Sequence, residues 1–117
     1  MKTNFGYYAE TVACWYLRFH GYTVICRNFH SRFGEIDIIA KKRGAYAFVE
    51  VKARSKGMVA PPAYAVDEYK QQKIIKTAYH YINRHRIPDC DMSFDVIEIT
   101  KTGFKYKINH LINAFTI

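Results

Sequence analysis

The chain is short of the residues that staple, ligate or span. Its three cysteines, Cys14, Cys26 and Cys90, are odd in number and far apart, and no CxxC pair occurs. Neither a zinc knuckle nor a redox dithiol is therefore supported. Cys14 and Cys26 stand among apolar residues and read as small core side chains. The histidines, His20, His30, His80, His85 and His110, show no HxxxH or related ligand spacing. No run approaches the roughly 18 apolar residues of a membrane span. Glu10 and Arg18 interrupt the one apolar N-terminal stretch, which has no signal-peptide core. Membrane insertion and secretion are not expected; a reduced, cytoplasmic protein is. Low-complexity segments, repeats and linkers are also missing, so one domain over residues 1–117 is expected. Hydrophobic residues, at 50%, suffice for a single core.

Acidic residues are the scarcer sign of charge. Eighteen basic against 10 acidic residues give a formal charge of +8. A polyanionic partner is favoured, nucleic acid first and an acidic membrane surface second. The ten tyrosines offer stacking platforms, but most, such as Tyr16 and Tyr81, fit the core or its rim.

The pattern of apolar residues predicts a helix from about Asn4 to His20, stopped by Gly21. Strands follow over Tyr22 to Asn28, Glu35 to Lys41 and Ala45 to Lys52, the last two joined as a hairpin through Lys42-Arg43-Gly44. Ser55 to Pro62 reads as a loop. A second helix is predicted from Val66 to Asn83, with Ile74, Ile75, Ala78, Tyr81 and Ile82 as its apolar stripe. Lys70, Lys73 and Lys76 lie on another face, read chiefly as solvated. Ser93 to Thr100 alternates as a fourth strand. Phe104 to Ile108 reads as a short fifth, with the tail from His110 to Ile117 packing back on the body. The order αβββαβ implies an α/β fold, a mixed sheet flanked by helices.

Two of these strands carry charge inside apolar runs: Gly34-Glu35-Ile36-Asp37-Ile38-Ile39-Ala40 and Phe48-Val49-Glu50-Val51-Lys52. Side chains alternate along a strand, so Glu50 and Lys52 share one face and Val49 and Val51 the other. Nearby carboxylates repel and burial disfavours their charge, unless a metal or a buried lysine neutralises them. Asp37 and Glu50 offer hard oxygen ligands suited to Mg²⁺ or Mn²⁺. Lys52 would then orient a water or stabilise charge on phosphorus. Glu10, in the apolar stripe of the first helix, reads as a supporting carboxylate that holds a metal-bound water or Lys52. A solvent-exposed Glu50–Lys52 pair, with Glu35 and Asp37 as hairpin polars, is the competing structural reading. Between Lys41 and Lys56 six basic residues (Lys41, Lys42, Arg43, Lys52, Arg54, Lys56) face one acid, Glu50. A phosphate-binding rim beside an acidic centre is what a nuclease needs.

These blocks, with Ala53-Arg54 after the second, resemble the signature of the bacterial YraN-like proteins. The resemblance runs nearly end to end. Glu10, Ala13, Tyr16, Leu17, Gly21, Tyr22 and Asn28 match the entry to the sheet. Val66 with Lys70 is similar to the second helix. Phe94-Asp95-Val96, Ile99, His110 and Asn113-Ala114-Phe115 are similar to the C-terminal part. The resemblance implies a restriction-endonuclease-like fold, related to Holliday-junction resolvases, with a PD-(D/E)xK-type site. On this chain Asp37, Glu50 and Lys52 would take the catalytic positions, with Glu10 as the helix acid and Glu35 in a supporting role. Asp37, Glu50 and the Val51 carbonyl would bind Mg²⁺ or Mn²⁺. Lys41, Lys42, Arg43, Arg54, Lys56 and Lys70 would hold phosphates. The expected function is a metal-dependent endonuclease on DNA, branched DNA among its substrates, with a homodimer among the arrangements it allows. The alternative is a non-catalytic nucleic-acid-binding module. Ala9 stands where the family usually has Gly, and Ser93 where it usually has Arg. No Gln-x-x-x-Tyr helix motif is present, which disfavours processive end-degradation.

Overall fold

Residues 4–55 and 67–117 are described by a computed structural model. Helix α1 (Asn4–Phe19) ends in a Schellman turn: Gly21, at φ 86°, lets the Tyr22 N–H reach the Leu17 carbonyl at 2.9 Å. Ala9, Glu10, Ala13, Cys14 and Leu17 form its buried stripe. The chain then makes β1 (Thr23–Ser31), β2 (Gly34–Lys42) and β3 (Ala45–Ser55), each antiparallel to the one before. The β2–β3 turn is two residues, Arg43 and Gly44 at φ 52° and 81°, the left-handed pair that a tight hairpin requires.

Helix α2 (Glu68–Arg84) is capped by Asp67, whose side chain accepts the Lys70 N–H at 2.9 Å. Strand β4 (Met92–Thr102) then pairs parallel to β3, and β5 (Lys105–Phe115) returns antiparallel. The sheet order is β1-β2-β3-β4-β5. A parallel pair needs a long crossover, and the segment holding α2 supplies it. On one face α1 packs Ala13 and Leu17 against Ile38, Ala40, Val49, Ile97 and Ile99. On the other α2 packs Ile74, Ile75, Ala78 and Tyr81 against Ile36, Ile39, Phe48 and Phe94. A mixed sheet flanked by two helices results, as the element order implies.

The C-terminus differs from expectation. The tail from His110 does not pack back as a separate segment; it continues β5, which runs to Phe115. The ladder with β4 shifts between Phe94 and Val96, opposite a residue at positive φ, Asn113 at 55°. That irregularity interrupts the alternation by which a continuous strand is read from sequence. The start of α2 at Val66 and the loop after Ser55 lie outside the described residues. No helix among the described residues is long and apolar enough to cross a membrane.

Candidate active site

The site forms where β2 and β3 separate. Their pairing runs from Lys42 opposite Ala45 to Ile38 opposite Val49 and goes no further. Beyond that point β2 stays with β1, Ile36 facing Phe29, and β3 stays with β4, Glu50 facing Val96. The alternation of β1 and β2 slips at the same level. Cys26 and Phe29, and likewise Ile36 and Ile39, reach the α2 side three residues apart instead of two. Asn28, at φ 54°, lies within the slip on β1, and Asp37 within it on β2. Asp37 is thereby aimed between the parting strands. It is buried, and its Oδ2 accepts the Val51 N–H at 2.8 Å, serving as acceptor where the β2 main chain has left the ladder.

Glu50 and Lys52 follow Tyr46 and Phe48 on the α2 face of β3. From the first turn of α2, Lys70 reaches down and its Nζ donates to Glu50 Oε1 at 2.6 Å. Lys52 Nζ lies 3.9 Å from the same oxygen. Lys70 thus parts from Lys73 and Lys76, which stay exposed on the helix. Burial, and then the charge of Asp37, raise the Glu50 carboxyl above its ordinary range, against the pull of Lys70 and Lys52. Burial, and then the Lys70 ammonium, lower Lys52 below an ordinary lysine. Burial also works against Lys70, but its bond and attraction to Glu50 outweigh it and Lys70 is raised.

Glu10 is almost fully buried on α1, its Oε1 3.7 Å from Arg27 Nη2. The Arg27 guanidinium lies over the Tyr7 ring, 5.2 Å from its centroid. Arg27 is a partner that spacing alone did not reveal, and Lys52 lies beside Glu50. Glu35 turns outward to His30, with 3.1 Å between Oε2 and Nδ1. Glu35 also lines a cavity of about 370 Å³ with Gly34, Tyr69, Lys70, Lys73 and Ile74.

The basic segment is divided by the fold. Lys41, Lys42 and Arg43 sit at the far end of the hairpin, Lys42 facing Ala45, about 17 Å of strand before Glu50. The expectation that they adjoin the acidic centre is corrected: a hairpin carries its turn away from the residues at its other end. Lys41 and Lys42 lie against the Tyr46 and Tyr22 rings, 5.2 and 5.0 Å from the centroids. Arg54 stays near the site, ion-paired to Glu98 on β4. Lys56 lies outside the described residues.

Among the described residues no three His, Cys, Asp or Glu side chains converge as a metal cluster. The available donors are Asp37, Glu50 and the main-chain carbonyl of Val51. This all-oxygen set fits a hard divalent ion that keeps several waters, as Mg²⁺ does.

A second buried acid is placed differently. Asp95 Oδ2 is 2.8 Å from His110 Nε2, and His110 Nδ1 is 3.1 Å from the Tyr16 hydroxyl. Asp95 Oδ1 accepts from the Ser93 hydroxyl and, at 3.2 Å, from the Asn113 N–H. Asp95 therefore ties the β4–β5 irregularity as Asp37 ties the parting of β2 and β3. Within the resemblance Asp95, His110 and Asn113 appear only as matched positions, and the fold supplies the reason that they go together.

The chain folds as a mixed five-stranded sheet between two helices, with Asp37 on β2 and Glu50 and Lys52 on β3, and its sequence matches a known family. The model of "Uncharacterised protein family UPF0102" matches residues 9–99. A UPF0102 protein of Geobacter metallireducens is 41% identical over 114 residues, covering 97% of this chain and 93% of the relative. One from Alkaliphilus oremlandii is 42% identical over 117 residues, covering 98% and 100%. One from Campylobacter hominis is 47% identical over 103 residues, covering 88% and 89%. The chain belongs to the UPF0102 family, the YraN-like proteins.

Proposed function

We propose that this protein is a metal-dependent endonuclease that hydrolyses phosphodiester bonds in DNA, with branched, Holliday-junction-like DNA as its candidate substrate. The observation that carries this reading is the meeting of Asp37, Glu50 and Lys52 where β2 and β3 part. Asp37, Glu50 and the Val51 carbonyl would hold Mg²⁺ or Mn²⁺. Such an ion, when bound, supplies Lewis-acid stabilisation and a more acidic water.

The side chains of the chain do the rest. The Asp37–Val51 hydrogen bond fixes the main chain between Glu50 and Lys52, so the two charged groups hold a constant offset. Lys52, with its proton affinity lowered by burial and by Lys70, hydrogen-bonds the attacking water and aligns it in line with the leaving oxygen. Lys70 balances Glu50 in the substrate-free protein and is placed to take a phosphate oxygen when substrate arrives. Glu10, paired with Arg27, ties α1 to β1 and would support the site as the helix acid. Arg54 offers a nearby phosphate contact, whereas Lys41, Lys42 and Arg43 would grip a longer duplex away from the cut. Cutting both strands of a junction would take two copies of the chain.

One observation favours a second reading, a nucleic-acid-binding module without catalysis. Lys70 already lies on Glu50, so the acids are partly neutralised without a metal. The test is incubation of linear, single-stranded, flap and four-way-junction DNA with Mg²⁺ or Mn²⁺, using Glu50→Ala as control. Metal-dependent cutting by the wild type alone supports the nuclease. Equal binding by both proteins with no cutting supports the module.

A further inference from the structure

Parallel pairing brings a second charged element to the site that its distance in sequence conceals. Lys52 faces Glu98 on β4, and Glu98 faces Asn109 on β5. One row further, Arg54, Thr100 and Lys107 lie side by side; one further again, Thr102 faces Lys105. Cross-strand partners share a face, so Lys105 and Lys107 project from the face that carries Glu50 and Lys52. The hairpin continues about 13 Å beyond Glu98 to the two-residue turn Gly103-Phe104.

Phe104 is left bare by the described residues. Its side chain is fully exposed, at 103% of the reference value, on a turn whose conformation needs only Gly103 at φ 61°. Lysines on an edge strand by themselves would serve to prevent strand-to-strand aggregation, but a bare aromatic ring at the turn beside them works against that purpose. The hairpin is braced from behind. Tyr106 lies 6.5 Å from Phe5 of α1, ring to ring, and Lys101 Nζ lies 6.0 Å from the Phe5 ring centroid. No acidic residue follows Glu98 in the chain. A braced aromatic tip flanked by cations, in line with a phosphate-directed site, suits a polyanion that presents flat apolar rings.

We infer that the β4–β5 hairpin is a nucleic-acid wedge: Phe104 stacks on a base left unpaired at a branch or strand end, while Lys105 and Lys107 hold the adjoining phosphates. This rests on the nucleic-acid part of the proposed function and specifies its substrate class. Intact duplex is the poorer ligand, because a base step must first be unstacked there, a cost that an unpaired base does not carry. An acidic membrane also attracts lysines and an aromatic ring, but the alignment of the hairpin with Glu50 and Lys52 gives no advantage there.

The test measures binding of metal-free wild type, Phe104→Ala and Lys105→Ala/Lys107→Ala to a four-way junction and a matched linear duplex, across salt concentrations. Melting curves check folding, which an exposed tip residue leaves unchanged. A 2-aminopurine at the branch point reports stacking. Phe104→Ala should lose roughly tenfold affinity for the junction, little for the duplex, and the wild-type fluorescence change. The double lysine variant should lower the salt slope for both DNAs by about two. Equal junction affinity for wild type and Phe104→Ala overturns the wedge even if the protein cuts DNA. A Phe104-dependent loss in a protein that never cuts leaves the wedge standing and removes the nuclease. Phe104-dependent binding to phosphatidylserine-containing vesicles, with none to the junction, overturns it in favour of a membrane.

Discussion

The carboxylate of Asp37 takes the main-chain N–H of Val51 at 2.8 Å, across the gap where β2 and β3 stop pairing. A candidate metal ligand is thus also a structural acceptor, and the two roles separate by substitution. Asp37→Asn keeps a carbonyl oxygen for Val51 and should remain close to wild-type stability. Asp37→Ala leaves a buried donor unsatisfied and should lose about 1–3 kcal/mol. Urea denaturation of the metal-free variants measures this. Equal stability of the two would show that the bond to Val51 does not matter.

Removing Lys70 should expose the repulsion between Glu50 and Asp37. Metal-free Lys70→Ala is expected to melt below the wild type. Mn²⁺ should raise its melting temperature more than that of the wild type, since the ion no longer competes with an ammonium. No metal-induced shift in either protein would speak against a cation site at these carboxylates.

Burial and the charge of Asp37 raise the Glu50 carboxyl above its ordinary 4.5. An acid whose pKa is raised on folding stabilises fully below the unfolded value, and that contribution disappears as pH rises through the folded value. In EDTA the wild type should therefore lose stability relative to Glu50→Gln as pH climbs above about 4.5. Urea midpoints of both proteins across this range give the difference. A wild type that gains on the variant with rising pH would contradict the assignment.

Much of the sheet was legible because β2, β3 and β4 carry apolar runs that are buried on both faces. Gly21 and the Arg43-Gly44 turn had local signatures, and both hold in the structure. The juxtaposition of Glu50 and Lys52 needed only the period of a strand. The Lys70–Glu50 contact had no such rule, for it depends on where α2 crosses the sheet. Lys70 was read as a phosphate contact, and its bond to Glu50 went unforeseen. Lys41, Lys42 and Arg43 were misplaced because closeness in sequence is the wrong measure along an extended hairpin. Lys105 and Lys107 were overlooked for the converse reason: a parallel crossover makes distant segments neighbours. The fifth strand was read only to Ile108, although β5 runs on through His110 and Leu111 to Phe115.

Asp95 should behave unlike the site acids. It is 1% exposed and bound to His110, Ser93 and the Asn113 amide. Asp95→Ala should destabilise the fold by about 3–5 kcal/mol, leaving any cleavage per folded molecule unchanged. Denaturation curves paired with rates corrected for the folded fraction measure both. A stable but inactive variant would move Asp95 into the catalytic machinery.

In the proposed nuclease Lys52 acts on phosphodiester cleavage beside Asp37 and Glu50, and this role can be read in a rate. It is tested most directly by the single-turnover rate of four-way-junction cleavage in Mg²⁺ for wild type and Lys52→Ala, at protein concentrations that saturate the DNA. The wild type should cut, and the variant should lose roughly a hundredfold or more, with junction affinity largely kept. Equal rates in the two proteins, or no cutting by the wild type with either metal, would contradict it.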